Sequence, residues 1–563
     1  MKRLLRARLW PLLSIALVAR VPVALAAEPA LDLAIVNARI VDGAGNPWFR
    51  GSVGIRGERI AEVRAGAPLA ARRVIDAGGR VVAPGFIDLM GQSTLIYIQD
   101  RGAAESRLRQ GITTHHHGEG SSHAPLNRRL QPRDLSIDGK TVRWSTYAEY
   151  FKILEDFGLP LNVVHNVGAA QVRQLVIGDV NRPPTPAELA EMERHVDQAM
   201  RDGAVGLSTS LIYPPGIYAS TDELVALARV AARHGGVYYS HIRNESGGLI
   251  AAIDEAMHIG RVGGLPVHIY HLKAAGRAHW PLIPQAIGKI DAARRAGLDV
   301  TADVYPYVRN GLNLGAFLPP WHYDAGREKF LTALSDPALR RKVRAEVEAP
   351  VSEWENWFHH VGRDWDKVLI TGSGDFPDKR IAGLSVAAAA KLLNRDVWDF
   401  AFDLIQYERT RGASVAPESM DEQQKHQILR APWTMIDTDT SPANPAHTAS
   451  THPRAFGAFP RVLAKYVREE GVLTLEEAVR RMTSLAANRL GLLDRGRIAP
   501  GLAADLAIFD PEKITDRATF TSPLRFAEGI DFLFVNGTPV IDAGQLTHAR
   551  PGRALRRTAS SAP

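Results

Sequence analysis

The chain contains no cysteine. Disulfide scaffolds, thiolate metal centres and a lipid-modified N-terminal cysteine are therefore excluded, and any metal site must be built from histidine and carboxylate. A basic field is missing too. The formal charge is +7, but five cations (Lys2, Arg3, Arg6, Arg8, Arg20) lie in the first 20 residues and four (Arg550, Arg553, Arg556, Arg557) in the last 14, so setting these nine aside leaves −2 for the body. Phosphate binding needs clustered cations, which removes nucleic acid as a partner. Long apolar runs are also absent: the longest, Leu9 to Ala19, is about half of the ~20 residues a membrane span requires. What remains is an ordinary core-forming chain, 45% apolar over 563 residues, with room for two or three domains or one large barrel carrying insertions.

The N-terminus has a basic start, then the apolar run, then Ala24-Leu25-Ala26 as a small-x-small site. This pattern predicts a signal peptide over 1–26, cleaved near Ala26 or Ala27, and an exported protein, in the bacterial periplasm or secreted. Residues 31–83 and 504–545 both show short runs of alternating polarity between Gly- and Asn-containing turns, the mark of small antiparallel strands. The two ends predict one small β-sandwich-like domain, 27–83 plus 492–550, with a basic disordered tail at 551–563.

The middle has another rhythm. β-Branched runs begin at 204, 237, 267 and 300 and are separated by helical patterns, Thr221–His234, Leu249–Ile259 and Ile283–Ala296, that end in Gly-containing turns. That spacing is one strand plus one crossover helix. Further strand candidates at 81–88, 112–117, 162–165 and 434–439 bring the count to eight, which predicts an α/β fold: a (β/α)8 TIM-like barrel over 84–491. The stretch 309–432 is too long for one unit and is read as an insertion between the seventh and eighth strands. Its own run, Val368-Leu369-Ile370-Thr371, leaves the strand count open by one.

In such barrels chemistry collects at the C-terminal ends of the strands. Here those ends read Phe86-Ile87-Asp88, His115-His116-His117-Gly118-Glu119, Ser240-His241-Ile242-Arg243, His271-Leu272-Lys273, Asp303-Val304-Tyr305-Pro306-Tyr307 and Asp437-Thr438-Asp439. His241 and His271 close consecutive strands, so their imidazoles can converge, and Glu119 can add an oxygen. Two nitrogens and one oxygen with an open position make a catalytic zinc set, in which bound water ionises near ~7 instead of 15.7. Asp439 is then the candidate base and proton shuttle. His115 or His117 could replace Glu119 as a ligand, sharing its face of the strand. His268 is expected to pack on a helix; His279, His447 and His452 fall in loops. Lys273 shares the face of His271, and Arg243 that of His241, which makes both candidates for holding substrate.

These segments, with Ala83-Pro84-Gly85, His452-Pro453-Arg454, Phe459-Pro460-Arg461, Met482-Thr483-Ser484, Asp494-Arg495-Gly496 and Ala504-Asp505, resemble the N-acyl-D-amino-acid deacylase (D-aminoacylase) family of metal-dependent amidohydrolases over about residues 31–550. The resemblance implies removal of the acyl group from an N-acyl-D-amino acid, one Zn2+ ion per chain, and a substrate α-carboxylate held by Tyr305 and Arg454. It also exposes departures. D-aminoacylases supply a cysteine ligand where this chain has Glu119, and the His-x-His that binds a second metal in most amidohydrolases is replaced by Met90 and Gln92. Neither replacement is a good zinc ligand. The same chemistry on a dipeptide or peptide terminus, and a barrel that binds without catalysis, are the rival readings. Nothing in the sequence sets the oligomeric state.

Overall fold

The computed structural model describes residues 31–557 apart from 129, 133–134, 353 and 410–411; the expected signal segment lies outside the described residues. The chain opens with five short strands, β1 (Leu31–Ile40), β2 (Phe49–Arg56), β3 (Arg59–Ala65), β4 (Ala71–Asp76) and β5 (Val81–Pro84). The strand expected over 81–88 is two strands. Pro84-Gly85 interrupts it, and β6 (Phe86–Gly91) begins a different sheet.

From there the α/β rhythm takes over. β7 (Ile112–His117) is followed by a small hairpin, β8 (Ser136–Ile137) and β9 (Lys140–Thr141), and then by β10 (Asn162–His165), β11 (Val167–Gly168), β12 (Gly206–Ser210), β13 (Val237–His241), β14 (Val267–Ile269) and β15 (Val300–Val304). The helices between them, Thr221–Arg233, Leu249–Gly263 and Ile283–Arg295, lie close to where capping and periodicity put them; Ser220 caps the first through the Glu223 amide. β12, β13 and β15 are buried at every residue, as expected of parallel strands covered on both faces.

β15 leads into β16 (Leu312–Asn313), β17 (Val368–Gly372) and β18 (Ser414–Pro417), which form a three-stranded sheet of their own, before β19 (Thr434–Ile436) returns beside β15. Val368–Thr371 therefore belongs to the insert. The insert has a separate core around Trp357, Phe358, Trp365 and Trp398. It ends earlier than residue 432: Met420, Ile428 and Leu429 already pack in the main core, because the apolar face of helix Glu422–Arg430 lies against β15 and β19.

The parallel ladders run β6–β7–β10 and β11–β12–β13–β14–β15–β19. Backbone hydrogen bonds cross the two seams: Val205 N–H to His165 O at 2.9 Å at one, and Asp439 N–H to Met90 O at 2.8 Å and Gln92 N–H to Thr440 O at 3.2 Å at the other. Ile87, Leu89, Met90, Val164, Tyr239, Tyr270 and Met435 fill the space enclosed, each fully buried large apolar side chain contributing about 1.5–3 kcal/mol.

The last strands, β20 (Leu506–Phe509), β21 (Ile530–Val535), β22 (Thr538–Asp542) and β23 (Gln545–Leu546), rejoin the first ones. β20 pairs antiparallel with β5, so both chain ends share one nine-stranded sheet that forks at β1, where β4 and β5 follow one another along the same edge. The tail departs from its expected disorder. Gly552 N–H donates to Leu159 O, Val163 N–H to Arg553 O and Leu555 N–H to Val163 O, all at 2.8–2.9 Å. Leu555 packs on the barrel interior and Arg556 pairs with Glu155. Its basic composition suggested a solvated end, but one leucine and a free strand edge order residues 551–557. No helix among the described residues is long and apolar enough to cross a membrane.

Candidate active site

Three strand ends deliver the predicted ligands to one point. Gly118, with φ +122°, turns the chain out of β7 so close to Asn166 that a Cβ there would lie 2.9 Å from Asn166 Cβ, a path open to glycine. Glu119 follows. His241 is the last residue of β13, and His271 sits two residues past β14 at φ +36° with its amide donating to Asp303 Oδ1. Glu119 Oε1 is 2.6 Å from His241 Nδ1 and 3.4 Å from His271 Nε2. Among the described residues, these three alone bring three possible ligand atoms within 4.8 Å of one another. The donor set, two imidazoles and one carboxylate, fits zinc.

Charged neighbours surround the His271 ring. His271 Nδ1 lies 3.0 Å from Glu245 Oε1, and Lys273 Nζ donates to the same oxygen at 2.5 Å. Lys273 Nζ is also 2.7 Å from His271 Nδ1, so Nδ1 faces protein partners and Nε2 is the nitrogen turned toward Glu119. Burial and Lys273 push the His271 imidazole down, but Glu245 and Glu119 outweigh them and raise it to about 9. Burial alone would raise Glu119; the two histidines hold it well below the usual carboxylate range instead.

The cluster opens on a cavity of about 810 Å³ that is also lined by Gln92, Lys273, Tyr305, Asp439 and Arg454. Asp439, at φ +41°, presents Oδ2 to Arg454 Nη1 at 2.8 Å. Burial raises its carboxyl while Arg454 and His271 oppose the rise. Arg454 lies over the Tyr305 ring at 4.4 Å, and both Arg454 Nε and Tyr305 Oη are buried without a hydrogen-bond partner. Buried donors left open beside a cavity mark a place where an anion is received.

Comparison with known proteins settles the relationship. The Amidohydrolase family pattern matches residues 354–541. N-acyl-D-glutamate deacylase of Alcaligenes xylosoxydans xylosoxydans is 36% identical over 94% of this chain and 98% of its own length. The chain belongs to the N-acyl-D-amino-acid deacylase family of metal-dependent amidohydrolases, hydrolases of C–N amide bonds. Among solved structures, N-acyl-D-glutamate deacylase of Bordetella bronchiseptica, complexed with zinc and a phosphonate mimic of the tetrahedral intermediate, matches with a TM-score of 0.77 at 32% identity, covering 94% of this chain and 100% of that one. A D-aminoacylase with a binuclear centre, described as activated by one metal and attenuated by a second, matches at 0.76 and 32% with the same coverage. The fold is accordingly of the TIM-barrel amidohydrolase type.

Several residues weighed from the sequence are placed differently. Arg243 is not free for substrate: its guanidinium is bound to Glu255 at 2.8 and 2.9 Å and to the carbonyls of Ile217 and Ala219. It braces a loop, because Glu255 on the following helix lies within its reach. His115 and His117 contact the Gln92 carbonyl, and His116 the Leu89 carbonyl, so none of the triplet joins the ligand set. His268 faces the barrel interior rather than a helix, with Nε2 3.0 Å from Asp303 Oδ2. Met90 is part of the barrel core.

The sequence reading passed over Glu245 and Arg107, and met Gln92 only as a lost ligand position. Arg107 is wholly buried against Asp88 and donates to Ala455 O at 2.6 Å and Thr440 O at 2.5 Å, holding the segments that carry Arg454 and Asp439. Its signal was weak: one arginine in a short helix. Lys425 was also missed. It is fully buried, with Nζ unpartnered 4.5 Å over the Tyr305 ring. Burial, then Lys273, pushes it down from 10.5 to about 7. Between those values the unfolded chain binds the extra proton, so this residue makes stability rise with pH across that window. Lys425→Met should be more stable than the wild type near pH 7, by about 1–3 kcal/mol, with the gap closing as pH approaches 10.5. Denaturant melts of both proteins at the two ends of the window check this, and coincident melts at neutral pH would refute it.

Proposed function

We propose that the protein is an exported amidohydrolase that removes the acyl group from N-acyl-D-amino acids with one zinc ion held by Glu119, His241 and His271. The observation that carries the reading is the convergence of those three ligands in one cavity with Asp439 and the Arg454–Tyr305 pair. Zinc bound there would supply Lewis acidity toward the amide carbonyl and lower the pKa of water. Asp439 would take the proton from the attacking water and return it to the departing amine nitrogen. Arg454 and Tyr305, which line the cavity and carry unpartnered buried donors, would hold the α-carboxylate and so orient the scissile amide. Lys273, tied to Glu245 and 2.7 Å from His271 Nδ1, would steady the ring that carries the ligand nitrogen and add positive charge to the site. The D preference is supported by the names of the relatives and the location by the N-terminal pattern.

The test is a panel of N-acetyl-D- and N-acetyl-L-amino acids beside dipeptides, run on zinc-loaded protein. Cleavage of the D-acyl compounds with release of acetate supports the reading; cleavage of dipeptides alone overturns it. In the same panel Arg454→Ala should raise KM for free-carboxylate substrates by about 10- to 100-fold, the scale of a lost charge-assisted hydrogen bond, and should discriminate poorly against the corresponding amides. The N-terminal residue of mature protein from a periplasmic fraction tests the export.

A further inference from the structure

The resemblance places two ligands of a second metal where Met90 and Gln92 stand. The structure shows what occupies that space. Gln92 Nε2 lies 3.3 Å from Glu119 Oε2 and 3.3 Å from Asp439 Oδ1. An ionised carboxylate only accepts, so the amide is oriented with its NH2 toward both, one N–H for each. The carboxamide oxygen, its only possible ligand atom, is turned the other way.

The position is rigidly built. Gln92 N–H donates to Thr440 O at 3.2 Å, next to Asp439. Gln92 O accepts from His115 Nε2 at 3.0 Å and His117 Nδ1 at 2.8 Å, and His115 Nδ1 is in turn 2.6 Å from the Tyr97 hydroxyl. The preceding residue must be glycine: a Cβ on Gly91 would lie 2.1 Å from His115 Nε2. Two of the three consecutive histidines thus grip one carbonyl, an arrangement the metal reading of the triplet does not explain. Met90, the other position of the missing His-x-His, is sealed in the barrel core among Leu89, Tyr239 and Met435 and cannot turn toward the cavity without opening a void there.

We propose that the Gln92 amide replaces a second metal ion in this chain, joining Glu119 to Asp439 through neutral donors, so that the site accepts a single divalent ion and does not respond to a second. Gln92 is a positioning residue: it holds the base at a set distance from the ligand carboxylate, the task a bridging ion would otherwise perform. The proposal rests on the reading of Glu119, His241 and His271 as metal ligands.

The experiment is metal stoichiometry on the full chain by plasma mass spectrometry, after equilibration with excess zinc and desalting, alongside kcat at rising free zinc. Wild type should retain one equivalent, with kcat changed less than about twofold by further zinc. Gln92→Glu, isosteric but adding a third carboxylate between the other two, should take up a second equivalent. Gln92→Leu should keep one equivalent while kcat falls about tenfold or more with little change in KM, the loss expected when two charge-assisted hydrogen bonds that place the base are removed. Two equivalents in wild type, one equivalent in Gln92→Glu, or an unaltered kcat in Gln92→Leu would each overturn the proposal with the ligand assignment intact. Wild type with no bound zinc would overturn the ligand assignment, and this proposal with it.

Discussion

Asp439→Asn should keep its metal and lose at least about 10² in kcat, the scale of removed acid–base catalysis. The carboxylate is held where a proton must pass. Its amide donates to Met90 O at 2.8 Å, its φ is +41°, and its two oxygens face Gln92 and Arg454 at 3.3 and 2.8 Å. A non-glycine residue in the left-handed region costs of order 1 kcal/mol or more and persists when surrounding contacts over-determine it. Here they do: Asp88 accepts from the Thr438 amide at 2.9 Å and from its hydroxyl at 2.6 Å, and Arg107 clamps Thr440 O. Asparagine reproduces the shape and can accept from Arg454, but it cannot carry the proton. Because burial raises the Asp439 carboxyl, wild-type activity should decline, as pH falls, at a pH above the usual carboxylate range, and that acid limb should vanish in the variant. Rate measurements across pH on metal-loaded protein test both points; equal kcat for the two proteins would refute the assigned role.

His241→Ala should lose the metal and, with it, the activity. Its imidazole offers one of the three possible ligand atoms and lies edge-on to His271 with ring centroids 4.5 Å apart. Loss of even an outer partner of a metal ligand weakens affinity about 10- to 100-fold, and loss of a ligand itself exceeds that. The metal content of purified protein, compared with wild type and with Asp439→Asn, separates the two roles: a ligand variant is empty, a base variant full. Without an ion the His271 imidazole stays protonated up to about 9. Metal binding must therefore release that proton, and zinc affinity of the wild type should climb as pH rises toward 9. An affinity flat with pH, or full metal content in His241→Ala, would remove these residues from the ligand set.

The parts of this site that were legible in the sequence are those that depend on position along a repeating unit. A buried parallel strand is β-branched and nearly continuous, its helix follows at a regular interval, and a polar residue where the apolar run stops marks a strand end. His241, His271 and Asp439 could be found in this way, and Glu119 by its position two residues past β7. What failed was inference of direction. Arg243 shares the alternation of His241, yet its guanidinium is taken up by Glu255 on the next helix. The His115–His117 triplet carries metal-ligand residue types, but backbone carbonyls of β6 and the turn after it take up one ring nitrogen of each.

Sequence by itself determined the class of fold, the order of its units, the reliance on histidine and carboxylate, and the family, because each follows from local periodicity, composition and short motifs that survive without knowledge of neighbours. Only the tertiary structure decided which of those groups meet. The joining of both chain ends in one sheet, the ordering of the tail by Leu555, the burial of Lys425 and the bridge of Gln92 between Glu119 and Asp439 all depend on residues tens to hundreds of positions apart. Their contact is set by strand order and loop path, and hydrogen bonds and burial act over a few ångströms of space whatever the separation along the chain.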